Sequence, residues 1–479
     1  MHVDKNKLLR QEQGVVKFFN SSNFKASKDR QGVLNYFTGV GKTYTAILII
    51  KEYLRLYPLK TVEILVPREV LYMQWSKEIQ NRIPYANIKI TTLGTYIHNP
   101  NMTSEVDLLV VDELHMFYDV EVVQLINNTR IKFTDNLGLT AHYKDKKGRQ
   151  KSIEHIFPVI DIIEEFEALA EGFISQFIEY NLKISFTEAE QEQYIKLANV
   201  IDKYSPKFGE TNQYGIALFC YAGGKGKTGI YRKGFDWCQI WGKRQGWYKG
   251  CSEEVDLLWN PSRVMGYAKI FVNAISQRKD LLYNAENKIL IAKELVFKFD
   301  NCKTIVFGQS TNLASKLNLM LNEKQAGISV AFHSNIQPQI LPSPKTGKLI
   351  KFGAKRLKDA ALEGIKNGTV RVICTASALD VGFDVEDINL GIITSNTSST
   401  TQRQQRGGRV KRVNTKSMFP DKEIVLIVNM YVENSQEEKW LRESQKKNKN
   451  VKYWVDSIDE INYNPTNKDV FDITEFIDD

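Results

Sequence analysis

FTGVGKTYTAILII, residues 37 to 50, sets Gly39 and Gly41 ahead of Lys42 and Thr43 and runs at once into an apolar stretch that reads as a helix. Two glycines in so short a span let the backbone fold closely around a ligand, and a helix starting there offers unpaired amides and its positive end to an anion. Lys42 adds a point charge suited to the outer phosphates of a nucleotide, and the Thr43 hydroxyl suits a magnesium ion. Thr38, Gly39, Val40, Gly41, Lys42 and Thr43 therefore form a candidate phosphate loop. The usual spacing places a further glycine where this chain has Tyr36.

Working outward, VEILVP (62 to 67) and DLLVVDE (107 to 113) read as short buried strands, and the pattern returns in KTIVFG (303 to 308), VRVICTA (370 to 376) and LGIITS (390 to 395). Buried strands alternating with helical stretches predict α/β architecture with two tandem parallel-sheet cores. In VVDELH (110 to 115) a strand delivers two carboxylates: Asp112 is placed to hold magnesium, and Glu113 to polarise a water at a terminal phosphate. His115 reads as part of a coupling network rather than a metal ligand. A phosphate loop followed by this acidic strand end predicts nucleoside triphosphate hydrolysis with Mg2+ as a cofactor.

The 479 residues, 42% of them hydrophobic, suffice for more than one core and argue against global disorder. No apolar run approaches the roughly 20 residues that cross a bilayer, and the polar start MHVDKNKLLRQEQ lacks a signal-peptide core. A cytoplasmic location is expected, nuclear in a eukaryote and the host cytoplasm for a phage protein. Five dispersed cysteines make no disulfide framework. A net charge of +9 leans toward a polyanionic partner. Composition shifts divide the chain into 1–155, a first lobe with the phosphate loop; 156–300, a helical connector, the start of the second lobe and a basic aromatic insertion; 301–454, the second core; and 455–479, an acidic tail.

Taken together these segments resemble superfamily 2 helicases and translocases, whose two lobes are RecA-like. The resemblance runs from Arg10 to Arg412 and implies ATP as the nucleotide and a role for each matching segment. Arg10 and Gln13 resemble an adenine-side element. Pro67 and Arg68 in VPREVLYMQW, Thr92 in TTLGTY and Ser310 in IVFGQS resemble nucleic-acid backbone contacts, and GLTA (138 to 141) resembles the segment coupling hydrolysis to domain motion. ICTASALDVGFDVEDI (373 to 388) places Thr375 toward nucleic acid and Gly382 and Asp384 toward the nucleotide. Gln405, Gly408, Arg409 and Arg412 fit a Q-x-x-G-R-x-x-R pattern whose arginines reach across the cleft to the triphosphate. Within the superfamily the chain looks most like XPB-type, phage UvsW-like and restriction-associated translocases. That implies action on forked or branched DNA in replication, recombination, repair or branch migration, with a monomer as the simplest state. An RNA helicase and a non-unwinding duplex translocase module remain alternatives. Tyr36 and His142 depart from the family pattern.

Residues 220 to 262 are rich in glycine, cations and tryptophan; from 225 to 249 they hold seven Lys and Arg against one acid, Asp236. Trp241, Trp247, Lys243 and Arg244 are candidates for base stacking and phosphate binding at a fork. The competing reading is a small tryptophan core with a solvated basic rim. GGKGKTG (223 to 229) mimics a phosphate loop without a strand to feed it, and Cys220, Cys238 and Cys251 are spaced poorly for zinc.

Overall fold

A computed structural model of the chain describes residues 2–21, 29–84, 87–127, 130–144, 148–225, 231–244, 260–342, 348–376, 388–397, 399–411, 424–446 and 450–464. The first sheet contains β1 (Gln31–Tyr36), β2 (Val62–Val66), β3 (Ile88–Thr92), β4 (Ser104–Asp112), β5 (Ile131–Thr140) and β6 (Val159–Ile163) in the order β3-β2-β4-β5-β1-β6. Every pairing is parallel. Helices cover both faces, so alternate residues of one strand enter different cores: Leu108 and Val110 join Ile50 and Trp75, while Leu109 and Val111 join Phe117 and Phe157. All strand C-termini lie on one rim, which brings the ends of β1, β4 and β5 together.

The N-terminal helix His2–Phe19 is braced to this sheet by Asp161 on β6, which pairs with Arg10 and Lys17 and accepts the Tyr36 hydroxyl at 2.6 Å. Burial and that hydrogen bond push the Tyr36 phenol well above its usual range. The first sheet extends past the expected boundary at 155. β6 completes it, the helix Glu165–Ala170 follows, and Phe173 and Ile174 are still buried in its core. β7 (Phe177–Ile184) is already a strand of the second sheet.

Among the described residues, four helices, Glu188–Tyr204, Gln213–Ala222, Gly234–Arg244 and Pro261–Asn284, then build a separate module around Leu197, Phe208, Cys220, Cys238 and Phe271, with a small hairpin of β8 (Gly224–Lys225) and β9 (Tyr231–Arg232). The second sheet resumes with β10 (Thr304–Gly308) and β11 (Ser329–Phe332). A hairpin of β12 (Gln339–Pro342) and β13 (Leu349–Phe352) interrupts it before β14 (Val372–Ala376), β15 (Leu390–Ile393), β16 (Val425–Val432) and β17 (Lys452–Val455). Its order is β11-β14-β10-β15-β16-β7-β17, again wholly parallel. The expected tail from 455 needs correction, because Val455 and Ile461 are buried and Tyr463 packs on the second core; residues 465–479 lie outside the described ones. Among the described residues no helix is long and apolar enough to cross a membrane.

Lys288 and Glu437 form a fully buried ion pair at 2.6 Å in the second lobe. Lys288 also donates to Leu282 O, and Glu437 accepts the backbone amides of Asn396 and Val432. Removing one partner strands the other charge in the core. Lys288→Ala should therefore destabilise the second lobe by about 3–5 kcal/mol, read as a lowered urea midpoint; an unchanged midpoint would show that the pair contributes nothing.

Candidate nucleotide site between the lobes

β1 ends at Tyr36, and the chain turns through Gly39 and Gly41 at φ +98° and +103° into the helix Lys42–Leu56. Glycine adopts those angles at little strain, whereas a residue carrying a Cβ would be strained there. No side chain caps the helix and no acid occupies its first turn, so its amides and positive end remain available to an anion. The Lys42 ammonium donates to Tyr36 O at 3.2 Å, bent back over the loop. The loop carbonyls are spent elsewhere: Lys7 donates to Gly39 O at 3.0 Å and Gln11 to Val40 O at 2.9 Å. Lys7 also donates to Phe173 O, in the segment joining the lobes. This donor set fits a triphosphate.

Two adenine-side expectations change. Gln13 is exposed, while Gln11 is buried against the loop. Positions 7, 11, 14 and 18 share one helical face, and that period, applied to LLRQEQ, selects Gln11. Arg10 holds Asp161 with two nitrogens and Glu167 with a third, so its guanidinium serves the brace. The unusual Tyr36 directs its hydroxyl to Asp161, away from the loop, and only its carbonyl meets Lys42.

At the end of β4, Asp112 is buried and accepts from Trp75 Nε1 at 2.8 Å and from the Glu113 amide at 2.9 Å. Burial and the neighbouring Glu113 charge raise its pKa to about 6, against the pull of Trp75 and Lys42. Glu113 has a left-handed backbone, φ +49°, uncommon for a residue with a side chain. Burial pushes its carboxyl up, yet Lys42, His115 and Arg409 together hold it below its usual value. Its Oε2 is buried without a hydrogen bond and lies 3.4 Å from His115 Nδ1. A buried, ionised oxygen with spare acceptor capacity is what activation of a water needs. Asp112 and the Thr43 hydroxyl are the residues that would hold a magnesium ion.

The second lobe closes this site with the helix Thr400–Val410. Gly408 meets Thr38 so closely that a Cβ added there would lie 2.5 Å from Thr38 Cβ. Arg409 is buried and near enough to Glu113 to lower its pKa. Gln405 Nε2 reaches His115 Nε2 at 3.5 Å, while His115 Nδ1 faces Thr140 Oγ1 at 3.1 Å. With the Gln405 amide donating, the His115 proton belongs on Nδ1. Thr140 also accepts from the His142 amide, and burial lowers the His142 imidazole to about 3, so it stays neutral. Arg403 and Arg406 instead anchor the helix, to Glu179 and to Ser395 O. Gly382, Asp384 and Arg412 lie outside the described residues.

Along the strand-end rim, Pro67 ends β2 half-buried and the exposed Arg68 starts the helix Glu69–Arg82. Thr92 and Ser310 cap the helices Leu93–His98 and Thr311–Lys324, with Ser310 also donating to Asn284. Thr375 is buried, its hydroxyl without a hydrogen bond. The stacking expectation for Trp241 is corrected: it packs on the module core and donates to Lys207 O at 3.2 Å, because a ring beside Leu197 and Phe208 gains more from burial than from water. Arg244 is exposed; Trp247 and the Lys243 side chain lie outside the described residues. The GGKGKTG run follows a helix, not a strand. Cys220 and Cys238 are free and buried, with the Cys238 thiol donating to Cys220 O at 3.4 Å, and no group of three or more metal-ligating residues occurs among the described residues.

Residues 6–102 match the family described as type III restriction enzyme, res subunit, and residues 287–414 match the helicase conserved C-terminal domain. The two matched domains are those of an ATP-hydrolysing superfamily 2 helicase or translocase. One curated relative, the DNA 3'-5' translocase XPB2 of Sulfurisphaera tokodaii (strain DSM 16993 / JCM 10545 / NBRC 100140 / 7), is 22% identical over 421 residues, covering 84% of this chain and 77% of that protein. The crystal structure of the Pyrococcus furiosus Hef helicase domain superposes with a TM-score of 0.48 at 14% identity, covering 90% of this helicase and 97% of that chain.

The Gly408–Thr38 contact is steric and therefore testable apart from the charges. Gly408→Ala should hold the lobes apart and lower steady-state ATP turnover at least tenfold, with nucleotide binding by the first lobe largely kept. Wild-type turnover would mean that hydrolysis does not require this approach.

Proposed function

We propose that this helicase couples ATP hydrolysis to the unwinding or remodelling of forked and branched DNA, as a monomer, in replication, recombination, repair or branch migration. The observation that carries the motor reading is the meeting of Gly408 and Arg409 with Thr38 and Glu113 across the cleft. In this reading Lys42 and the loop amides hold the phosphates. Glu113 orients a water and accepts its proton. Arg409, with Arg412, neutralises developing charge only while the lobes are closed. Thr43 and Asp112 would hold a magnesium ion, which when bound would supply charge neutralisation at the outer phosphates. The His115 contacts with Glu113, Thr140 and Gln405 tie the state of the site to lobe position.

Opening and closing would change the spacing of backbone grips at Arg68 and Thr92 on one lobe and at Ser310 and Thr375 on the other. DNA as the track is favoured by the likeness to a DNA translocase. Recognition of forks is assigned to the helical module, whose exposed Tyr214, Leu218 and Tyr221 recur along one face of the helix Gln213–Ala222, with the Lys279 ammonium 5.3 Å from the Tyr214 ring centroid. The match to a restriction subunit favours, as a second reading, a duplex translocase that does not unwind.

The test is ATP turnover with single-stranded DNA, duplex, fork, four-way junction and RNA in parallel. Forks and junctions should stimulate best, and binding should weaken steeply with salt. Lys42→Ala should abolish turnover; Glu113→Gln should bind ATP without hydrolysing it. Arg409→Ala and Arg412→Ala should each lower stimulated turnover by on the order of 10³-fold with DNA binding kept. Stimulation by RNA alone, or dispensable Lys42 and Arg409, would overturn the assignment.

A further inference from the structure

β11 is the edge strand of the second sheet, and its last residue, Phe332, is the register partner of Thr375 on β14, which also pairs with Phe307 of β10. The chain leaving β11 therefore emerges on the rim shared with Thr375 and with the Ser310 loop after β10. There it forms the β12–β13 hairpin before entering the helix Ala354–Asn367. One face of the hairpin is seated: Phe352 is buried with the Arg356 guanidinium 4.1 Å from its ring centroid, and Ile350 is half-buried. The opposite face stands in water. Ile340 and Leu349 are each 69% exposed, and Lys351, the register partner of Ile340, is exposed beside them. From Gln325 to Lys358 the sequence contains no Asp or Glu, while Lys348, Lys351, Lys355 and Arg356 are all exposed. Two aliphatic side chains held out on a rigid, acid-free projection suit a partner that is anionic at its edge and flat and apolar within, which describes the end of a base-paired duplex.

We propose that the β12–β13 hairpin is a strand-parting wedge: Ile340 and Leu349 press against the last base pair at the junction while Lys348 and Lys351 hold the flanking phosphates. The inference rests on the motor reading above and adds the element that converts movement into separation. It separates two activities that a translocating motor otherwise shares, movement along one strand and the opening of a duplex.

The experiment compares the full-length wild type with Ile340→Ser/Leu349→Ser and with Lys348→Glu/Lys351→Glu, all at exposed positions, after matched thermal melting shows the fold intact. Three readouts are taken: single-strand-stimulated ATP turnover, displacement of streptavidin from a biotinylated single strand, and fork unwinding. In the aliphatic variant the first two should stay within twofold of wild type and fork unwinding should fall at least tenfold. The lysine variant should bind forks more weakly while binding short single strands as before. Fork unwinding at the wild-type rate by the aliphatic variant overturns the wedge, whether the face is then a protein-docking patch or inert. Parallel loss of streptavidin displacement overturns it too, since the hairpin would then grip the track. A wild type that displaces streptavidin without opening forks sinks the wedge alone; one without nucleic-acid-stimulated turnover sinks the motor reading with it.

Discussion

The approach of Gly408 to Thr38 is the constraint on which the rest depends. A glycine is required because the second lobe's helix must reach the phosphate loop with no methyl between them, and only that closeness buries Arg409 beside Glu113. In a dry cleft charges act far more strongly than in water, so small changes of lobe spacing have large electrostatic effects. Two adjacent carboxylates consequently differ in character: Asp112 is pushed toward neutrality by burial and by its neighbour, and Glu113 is held ionised by Lys42, His115 and the incoming arginine. Their division of labour is a property of the closed arrangement rather than of either residue type.

The N-terminal helix makes that arrangement possible from the other side. Lys7 and Gln11 take up the carbonyls of Gly39 and Val40, which fixes the loop against the helix. Asp161 fixes the helix by drawing Arg10, Lys17 and Tyr36 to one carboxylate. Because Lys7 also holds Phe173 O, one ammonium touches both the phosphate loop and the segment that connects the lobes. Tyr36, which breaks the usual spacing of the loop, is thus a structural member of this brace.

What the sequence made legible was local. Buried strands such as VEILV and DLLVVD announce themselves as apolar runs, and the two-sheet α/β reading follows from their repetition. The crossing between lobes was not legible, since VIDII and FIEYNLKI read alike although one closes the first sheet and the other sits inside the second. Strand order is fixed by register between distant segments, which no window of sequence contains. Gln13 was named by resemblance alone, whereas the helical period picks out Gln11 as the glutamine on the buried face. Composition in turn found the tryptophans but could not say which way they face; Trp241 and Trp237 pack on the core, while Tyr231 and Phe235 of the same stretch and Tyr214 and Tyr221 one helix earlier are exposed. The Gly408–Thr38 contact was not legible at all, because nothing local at either residue encodes the other.

A second lobe that gates chemistry by position must move as one body, and its interior explains how it does so. Lys288 ties the end of the helical module, through Leu282 O, to Glu437, and Glu437 in turn holds the amide of Asn396 just ahead of the arginine-bearing helix. Glu179 on β7 anchors the same helix through Arg403 and also accepts from Asn429 on β16. A buried charge with every partner fixed resists displacement, because shifting one member leaves another uncompensated. The end of the module and the arginine helix are therefore tied to the second sheet through buried charges. On the proposed motor reading, work done on a nucleic acid at the rim and closure at the cleft would be the same motion seen at two ends.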